Sequence, residues 1–242
     1  MEEKLFDIVI LIGPNDREVI HKQIKYTKKN IIGYRDIFLV SYDPSIQCEG
    51  CITIDEKIFP FTVNTVSNIH GDLNRNKWYL QQLLKLYSGF VIPNILERYL
   101  VIDCDTFFFK PTTFIKDNKC LYNYGGEYHA HYFDHMLKLN KNLTKVYPDK
   151  SGICHHMMFE IKYIQELFEI IEKEHNDFFY NVFLNSVEFK EGSGASEYEI
   201  YFNYMVKNHS DEIIIRQLKW CNNNILIENE DYDYISIQFW ML

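Results

Sequence analysis

What the chain lacks narrows its class before any motif is considered. Ten glycines and six prolines in 242 residues exclude collagen-like and low-complexity chains. Six cysteines are too sparse for a disulfide scaffold, and Cys104, Cys120 and Cys154 sit in or beside apolar stretches where a small hydrophobe packs. A reducing compartment follows, so the expected location is cytoplasmic, a host cytoplasm or a virus particle included. Cys48 and Cys51 form a lone C-x-x-C with no second pair, which reads as surface-loop cysteines rather than a zinc site. No apolar run approaches the roughly 18 to 20 residues of a membrane-spanning helix, and the acidic start Met1 to Lys4 does not open a secretory signal. There is no polybasic block either. With 25 basic against 34 acidic side chains and a formal charge of -9, no nucleic-acid partner is expected. Dinucleotide-binding Gly-x-Gly-x-x-Gly, a phosphate loop and a Gly-x-Ser-x-Gly elbow are also missing, so three large enzyme classes lose their usual support.

The 47% of apolar residues and 16% of aromatics that remain suffice for one sizeable core. Leu5 to Ile12 reads as a first strand, broken by Gly13-Pro14-Asn15-Asp16 before a helix from Arg17 to about Lys29. Ile37 to Ser41, Cys51 to Ile54 and Tyr99 to Asp103 read as further strands, and Phe107 to Phe109 as another apolar run. Leu80, Leu83, Leu84 and Tyr87 fall at helical spacing within Asn76 to Ser88, with Gly89 placed as a left-handed cap. Its opposite stripe carries Lys77, Gln81 and Lys85 at i, i+4 and i+8. Ile161 to about Lys173 and Ser196 to Asn208 are the other predicted helices. Strands alternate with helices and no Gly-, Ser- or Pro-rich linker intervenes, which indicates a single α/β domain with a largely parallel sheet.

Asp103-Cys104-Asp105 is the most informative triplet. Two carboxylates two positions apart at a strand end point to the same side and repel unless a cation lies between them. A divalent metal holding a diphosphate satisfies both, since Mg²⁺ and Mn²⁺ keep several positions for water and phosphate oxygens. Ser196-x-x-Glu199 is a capping box, which explains Glu199 and leaves Glu197 in the first helical turn, after the mobile-looking Gly192-Ser193-Gly194. Glu197 is thus the candidate catalytic base, against the plainer reading of a surface glutamate favoured by the helix dipole. His155 and His156 precede a strand-like Met-Met-Phe. Adjacent strand residues face opposite ways, so only one of the two is expected in the site. His129, His131 and His135 lie in an irregular, aromatic-rich stretch from Gly125 to Lys150, read as a substrate-covering loop.

The run from Tyr99 to Phe108 resembles the metal-binding signature of GT-A glycosyltransferases. More specifically, the chain resembles the DUF6492 family through Arg75 to Lys85, the acidic triplet, Cys154 to Phe159 and Ala195 to Glu199. The resemblance implies a single GT-A-like, Rossmann-related domain over 1-242, with a mixed, mostly parallel central sheet flanked by helices. Its nucleotide-binding part would cover about 1-110 and its acceptor-binding part about 111-242. It also implies a nucleotide-sugar donor, a glycan or protein acceptor, and Mn²⁺ or Mg²⁺ on Asp103 and Asp105. Gly13 and Asp16 would then meet the nucleotide, with Arg75, Lys77, Gln81, Asp103, His155, His156 and Ser196 on substrate. Relatives of this type commonly place a histidine as third metal ligand after a segment like Asp231 to Ser236; this chain has Gln238 there, a poorer ligand.

The expected function is therefore transfer of a sugar from a nucleotide-diphosphate donor, a UDP-sugar by preference, to a hydroxyl, with inversion preferred. The alternatives are a non-catalytic nucleotide- or metal-binding module on the same scaffold and a metal-dependent nucleotidyltransferase. Lysine far outnumbers arginine, which points to an AT-rich genome such as that of a large DNA virus or a protist.

Overall fold

All seven residues of β1 (Phe6–Ile12) are buried, so this strand must be covered on both faces. In the computed structural model, which describes residues 6–237, it lies at the centre of the main sheet. The chain continues through α1 (Val19–Asn30), the short β2 (Ile31–Ile32), β3 (Tyr34–Ser41), β4 (Ile52–Asp55), α2 (Val63–His70) and α3 (Asn76–Val91) to β5 (Arg98–Ile102). Short strands follow, β6 (Thr106–Phe108), β7 (Thr112–Thr113), β8 (Ile115–Lys116) and β9 (Lys119–Tyr122). Then come α4 (Ala130–Leu139), β10 (His156–Glu160), α5 (Ile161–His175), α6 (Phe179–Asn185), α7 (Glu197–Asn208), β11 (Ile213–Ile215), β12 (Trp220–Asn223) and β13 (Tyr234–Ile237).

The main sheet has the order β10-β5-β1-β3-β4. Four strands are parallel and β10 runs antiparallel on the β5 edge, with His156 opposite Ile102. The result is the expected α/β architecture, a single Rossmann-like domain with a mostly parallel sheet between helices. From β1 the chain builds outward to β3 and β4, then returns to place β5 on the other side of β1. That reversal makes the gap beyond the carboxyl ends of β1 and β5 the switch point where open α/β sheets bind ligands. Among the described residues three small sheets complete the fold; in one, β13 pairs with both β12 and β6 and so braces the segment that follows β5. Among the described residues no helix is long and apolar enough to cross a membrane.

Several boundaries differ from the sequence reading. A single 3-10 turn, Pro14–Asp16, separates β1 from α1, which delays the helix to Val19. Gly89 is no left-handed cap, because α3 runs through it to Val91. Glycine is needed there for space: a Cβ would sit 2.6 Å from Ile161 Cγ1 and 2.8 Å from Tyr99 Cε1. The stretch from 125 to 150 is not wholly irregular, since α4 buries Tyr132, His135, Met136 and Leu139. His135 is a core residue that reaches the Phe183 carbonyl through Nε2 at 2.9 Å, while His129 alone of the three borders the main cleft. The short helices α2 and α6 went unpredicted because two turns carry too few apolar positions to establish a period. All six cysteines are free thiols.

Gly89→Ala tests the close approach of α3 to β5 and α5. The methyl group overpacks a finished interface, so a loss of about 1–3 kcal/mol is expected, seen as a melting temperature lowered by about 2–10 °C. An unchanged melting curve would refute the tight packing.

Candidate active site at the sheet switch point

Both strand ends at the switch point carry carboxylates. After β1, the Gly13 backbone N–H donates to Asp16 Oδ2 at 2.8 Å, which turns the Asp16 side chain into a cleft of about 710 Å³. Gly13 itself does not border the cleft; it positions Asp16. Burial first, and the charge of Asp103 second, push the Asp16 carboxyl up. After β5, Asp103-Cys104-Asp105 forms a turn rather than a continued strand. The turn is fixed by the Asp103 N–H on the His155 carbonyl (2.9 Å), the Thr106 N–H on the Asp103 carbonyl (3.0 Å) and the Ile237 N–H on the Asp105 carbonyl (2.9 Å). Both carboxylates border the same cleft, as the two-residue spacing anticipated.

They are treated very differently. Asp103 Oδ1 accepts from Lys85 Nζ at 2.6 Å and from the Tyr198 hydroxyl at 2.8 Å, and Oδ2 faces His155 Nδ1 at 3.3 Å. Burial would raise its pKa, but Lys85 and then His155 hold it well below the usual carboxylate range. Asp105 makes no ion pair among the described residues, and His155 opposes its upward shift only in part. Its Oδ1 accepts from the Ser236 hydroxyl at 3.0 Å, and burial, reinforced by the Asp103 charge, pushes its pKa up to about 6.

Lys85 also holds Glu197, with Nζ 2.6 Å from Oε1, and it lies 4.3 Å from the centre of the Tyr198 ring. Glu197 is thus no surface residue at the start of α7; it is 3% exposed. Its backbone N–H donates to Gln82 Oε1 at 3.0 Å, and burial raises its carboxyl. Ser196 caps α7 by accepting from the Glu199 N–H at 3.3 Å, but Glu199 does not complete the capping box. Its Oε2 instead accepts from Asn203 Nδ2 at 2.8 Å. The preceding glycine stretch is tied down, with the Gly194 N–H on the Tyr79 hydroxyl and Ser193 Oγ accepting from Arg75 Nη2 at 2.7 Å.

Arg75, Gln81, His155 and Ser196 border the cleft as expected. Besides Gly13, two expected substrate contacts do not. Lys77 is exposed, and the acid that feels its charge is Glu56. At 100° per residue the i, i+4, i+8 stripe drifts around α3, so a face that holds Gln81 and Lys85 against the cleft leaves Lys77 outside it. His156 points to the other side of β10, among the rings of Phe108, Phe114 and Tyr234 at 5.0–5.4 Å. Burial, then the Arg216 charge, lowers its pKa to about 3. His155 is the histidine of the pair that enters the site. Its backbone is left-handed (φ 62°), its ring stands against Trp220 at 5.2 Å, and its Nε2 is buried without a partner. A non-glycine residue in that region costs of order 1–3 kcal/mol and is found where a site demands a particular side-chain direction.

The sequence reading missed Trp78, Glu127, Tyr128, Tyr132, Tyr198 and Asn222, which also border the cleft. Trp78 and Tyr198 lie inside the family-like segments Arg75 to Lys85 and Ala195 to Glu199 and could have been suspected; the others come from elements whose facing only the fold decides.

Among the described residues no three His, Cys, Asp or Glu side chains converge as a ready-made metal cluster. Gln238, the expected third ligand, lies outside the described residues. The carboxylates nonetheless suit a hard cation bound by one or two protein oxygens and otherwise by water and substrate. Among the described residues Asp105 makes no ion pair, its charge being offset only in part by His155, and Asp103 stands beside it in the same turn.

Fold and site together define a Rossmann-like α/β domain with an acidic cleft at its topological switch point. Residues 4–228 match the model of a family described as a family of unknown function, DUF6492. The chain belongs to that family. No curated protein matches it.

Two substitutions separate the roles of these charges. Lys85→Met leaves Glu197 buried without its counter-ion and Asp103 with His155 alone, and should cost about 3–5 kcal/mol in a denaturant melt; a smaller loss than 1 kcal/mol would sink the assignment of Lys85 as the central counter-ion. Asp105→Asn should do the opposite. A carboxyl raised from near 4 to about 6 supports the fold below pH 4 and withdraws that support as the pH climbs to 6. In chelator-treated protein at pH 7.5, Asp105→Asn is therefore expected to be the more stable by about 1–3 kcal/mol, with the gain shrinking towards pH 4.5.

Proposed function

We propose that this protein is a metal-dependent glycosyltransferase. It would move a sugar from a nucleotide-diphosphate donor, a UDP-sugar by preference, to a hydroxyl of a glycan or protein acceptor. The observation that carries this reading is the pair of neighbouring carboxylates, Asp103 and Asp105, at the switch-point end of β5 in a polar cleft of about 710 Å³. Asp103 and Asp105 would hold Mn²⁺ or Mg²⁺. When bound, the ion supplies positive charge to the departing diphosphate.

The remaining groups have chemistry suited to that substrate. Arg75 presents a guanidinium already oriented by the Trp78 ring at 4.5 Å, a fork that matches phosphate oxygens. His155 Nε2 offers a polar atom with no protein partner, and Gln81 an amide for sugar hydroxyls. In the transfer step the acceptor oxygen bonds to the anomeric carbon as the bond from that carbon to the diphosphate oxygen breaks. The acceptor proton would pass to Glu197. Lys85 holds Oε1 of that carboxylate, so Oε2 is the atom assigned to receive it. A base on one side and the diphosphate on the other accords with inversion. The free thiols suit a reducing, cytoplasmic location.

A second reading draws on the same ion pairs. Lys85 neutralises Asp103 and engages Glu197, an arrangement that also suits a binding module that takes up nucleotide or metal without turnover. Release of nucleoside diphosphate from a sugar donor distinguishes the two.

Ligand-induced stabilisation gives the first test. UDP with Mn²⁺ at about a hundred times its dissociation constant should add about 2.7 kcal/mol, which raises the melting temperature by about 5–10 °C. The double substitution Asp103→Ala, Asp105→Ala should abolish the rise. If neither UDP nor any other nucleoside diphosphate shifts the transition in the presence of Mn²⁺ or Mg²⁺, the donor assignment is wrong.

A further inference from the structure

Beside the main cleft lies a second concavity of about 730 Å³ that none of the roles above uses. Its walls combine the rings of Tyr124, Trp220 and Tyr232 with the charged side chains of Asp149, Asp231 and Lys219. Among the described residues none of those three charged groups takes part in an ion pair, and all three are exposed. Charges that the fold does not use surround aromatic surface that it leaves partly open.

Two stretches of chain run through both cavities. Tyr124, Gly125 and Gly126 border the second, and the next three residues, Glu127 to His129, border the first. On β12, Trp220 borders the second and Asn222 the first. Residues two apart on a strand share a face and stand roughly 7 Å apart, close to the length of one sugar unit. The Trp220 ring is stacked on Tyr234 at 5.6 Å and stands edge-on to His155 at 5.2 Å, and His155 reaches Asp103 at 3.3 Å. The second concavity therefore begins one ring away from the acidic centre.

Its chemistry selects among ligands. A wholly apolar molecule would strip water from Asp149 and Asp231 and return nothing. A polyanion would meet two carboxylates against one lysine. A neutral carbohydrate fits both features: the C–H faces of its rings lie on aromatic planes, and its hydroxyls donate to carboxylates. We propose that this concavity binds one or two sugar rings of an oligosaccharide acceptor whose terminal hydroxyl lies in the main cleft. The proposal rests on the glycosyltransferase reading and narrows it, because the acceptor becomes a glycan chain rather than a monosaccharide or a protein hydroxyl.

Saturation-transfer NMR and titration with maltotriose, cellotriose, chitotriose and xylotriose, without nucleotide, test it on the intact chain. At least one trisaccharide should bind, more tightly than its monosaccharide. Tyr232→Ala should weaken that binding by about fivefold or more, and Asp149→Asn with Asp231→Asn should weaken it independently. Each variant should keep the wild-type melting temperature shift with UDP and Mn²⁺, which shows that the main cleft is intact. If no trisaccharide binds, or if binding ignores these substitutions, the subsite is refuted whether or not nucleotide binds. Trisaccharide binding that obeys the substitutions, in a protein that UDP and Mn²⁺ fail to stabilise, would uphold the subsite and remove the donor reading instead.

Discussion

A single buried ammonium group organises this cleft. Lys85 leaves α3 and meets Asp103 at the end of β5 and Glu197 at the start of α7, each at 2.6 Å. Three elements far apart in sequence are thereby locked at one point. The desolvation of such a cluster cancels much of its Coulomb energy, so its value is positional: remove the lysine and two carboxylates have to find another place. Tyr198 adds a hydroxyl to Asp103 and a ring beneath Lys85, so neighbouring residues on α7 serve the same centre.

Around that centre the sheet does the remaining positioning. The order β10-β5-β1-β3-β4 opens a gap at the carboxyl ends of β1 and β5, and only there can Asp16 and Asp103 approach one another. The left-handed residue His155, just ahead of β10, enters from the antiparallel edge, and β13 reaches across to bond Asp105 through Ser236 and the Ile237 N–H. The acidic turn is thus gripped from both sides, which keeps its carboxylates close despite their repulsion.

Much of this was legible in the sequence. The uniformly apolar runs of β1 and β5, the break after each, and the i+3 and i+4 spacing of α3 and α5 follow from local physics, because burial on both faces leaves no other pattern. The acidic triplet was legible too, since paired carboxylates interrupting an apolar run have few structural uses. What could not be read was facing. Lys77 and Lys85 are the same residue type on one nominal stripe, yet 80° of drift around the helix separates a solvent lysine from the hub of the site. Gly89 carries the mark of a helix end and instead permits close packing. Glu197 reads in the sequence as a candidate base or as a surface residue at a helix start, and only Lys85 beside it shows that it is buried. Each depends on a neighbour supplied by a distant element, and periodicity in one segment carries no information about that neighbour.

The charge balance of the cleft constrains how it would work as a transferase. Five carboxylates border it, Asp16, Asp103, Asp105, Glu127 and Glu197, against two permanent cations, Arg75 and Lys85. Counting permanent charges alone, that is a formal surplus of three carboxylates among the described residues, which His155, favoured in its charged form by Asp103 despite its burial, reduces when protonated. A diphosphate approaching alone meets net repulsion at close range, where the low dielectric of a half-buried site makes it costly. A divalent ion would meet Asp105 first and, once bound, would offset most of that surplus. In the proposed transferase these charges would favour cation before donor. Lys85 sets the limit of that exchange, because an ion that draws on Asp103 competes with an ammonium 2.6 Å away. The lysine would not have to leave, because Glu197 also holds it at 2.6 Å and would keep the buried charge paired if Asp103 engaged an ion.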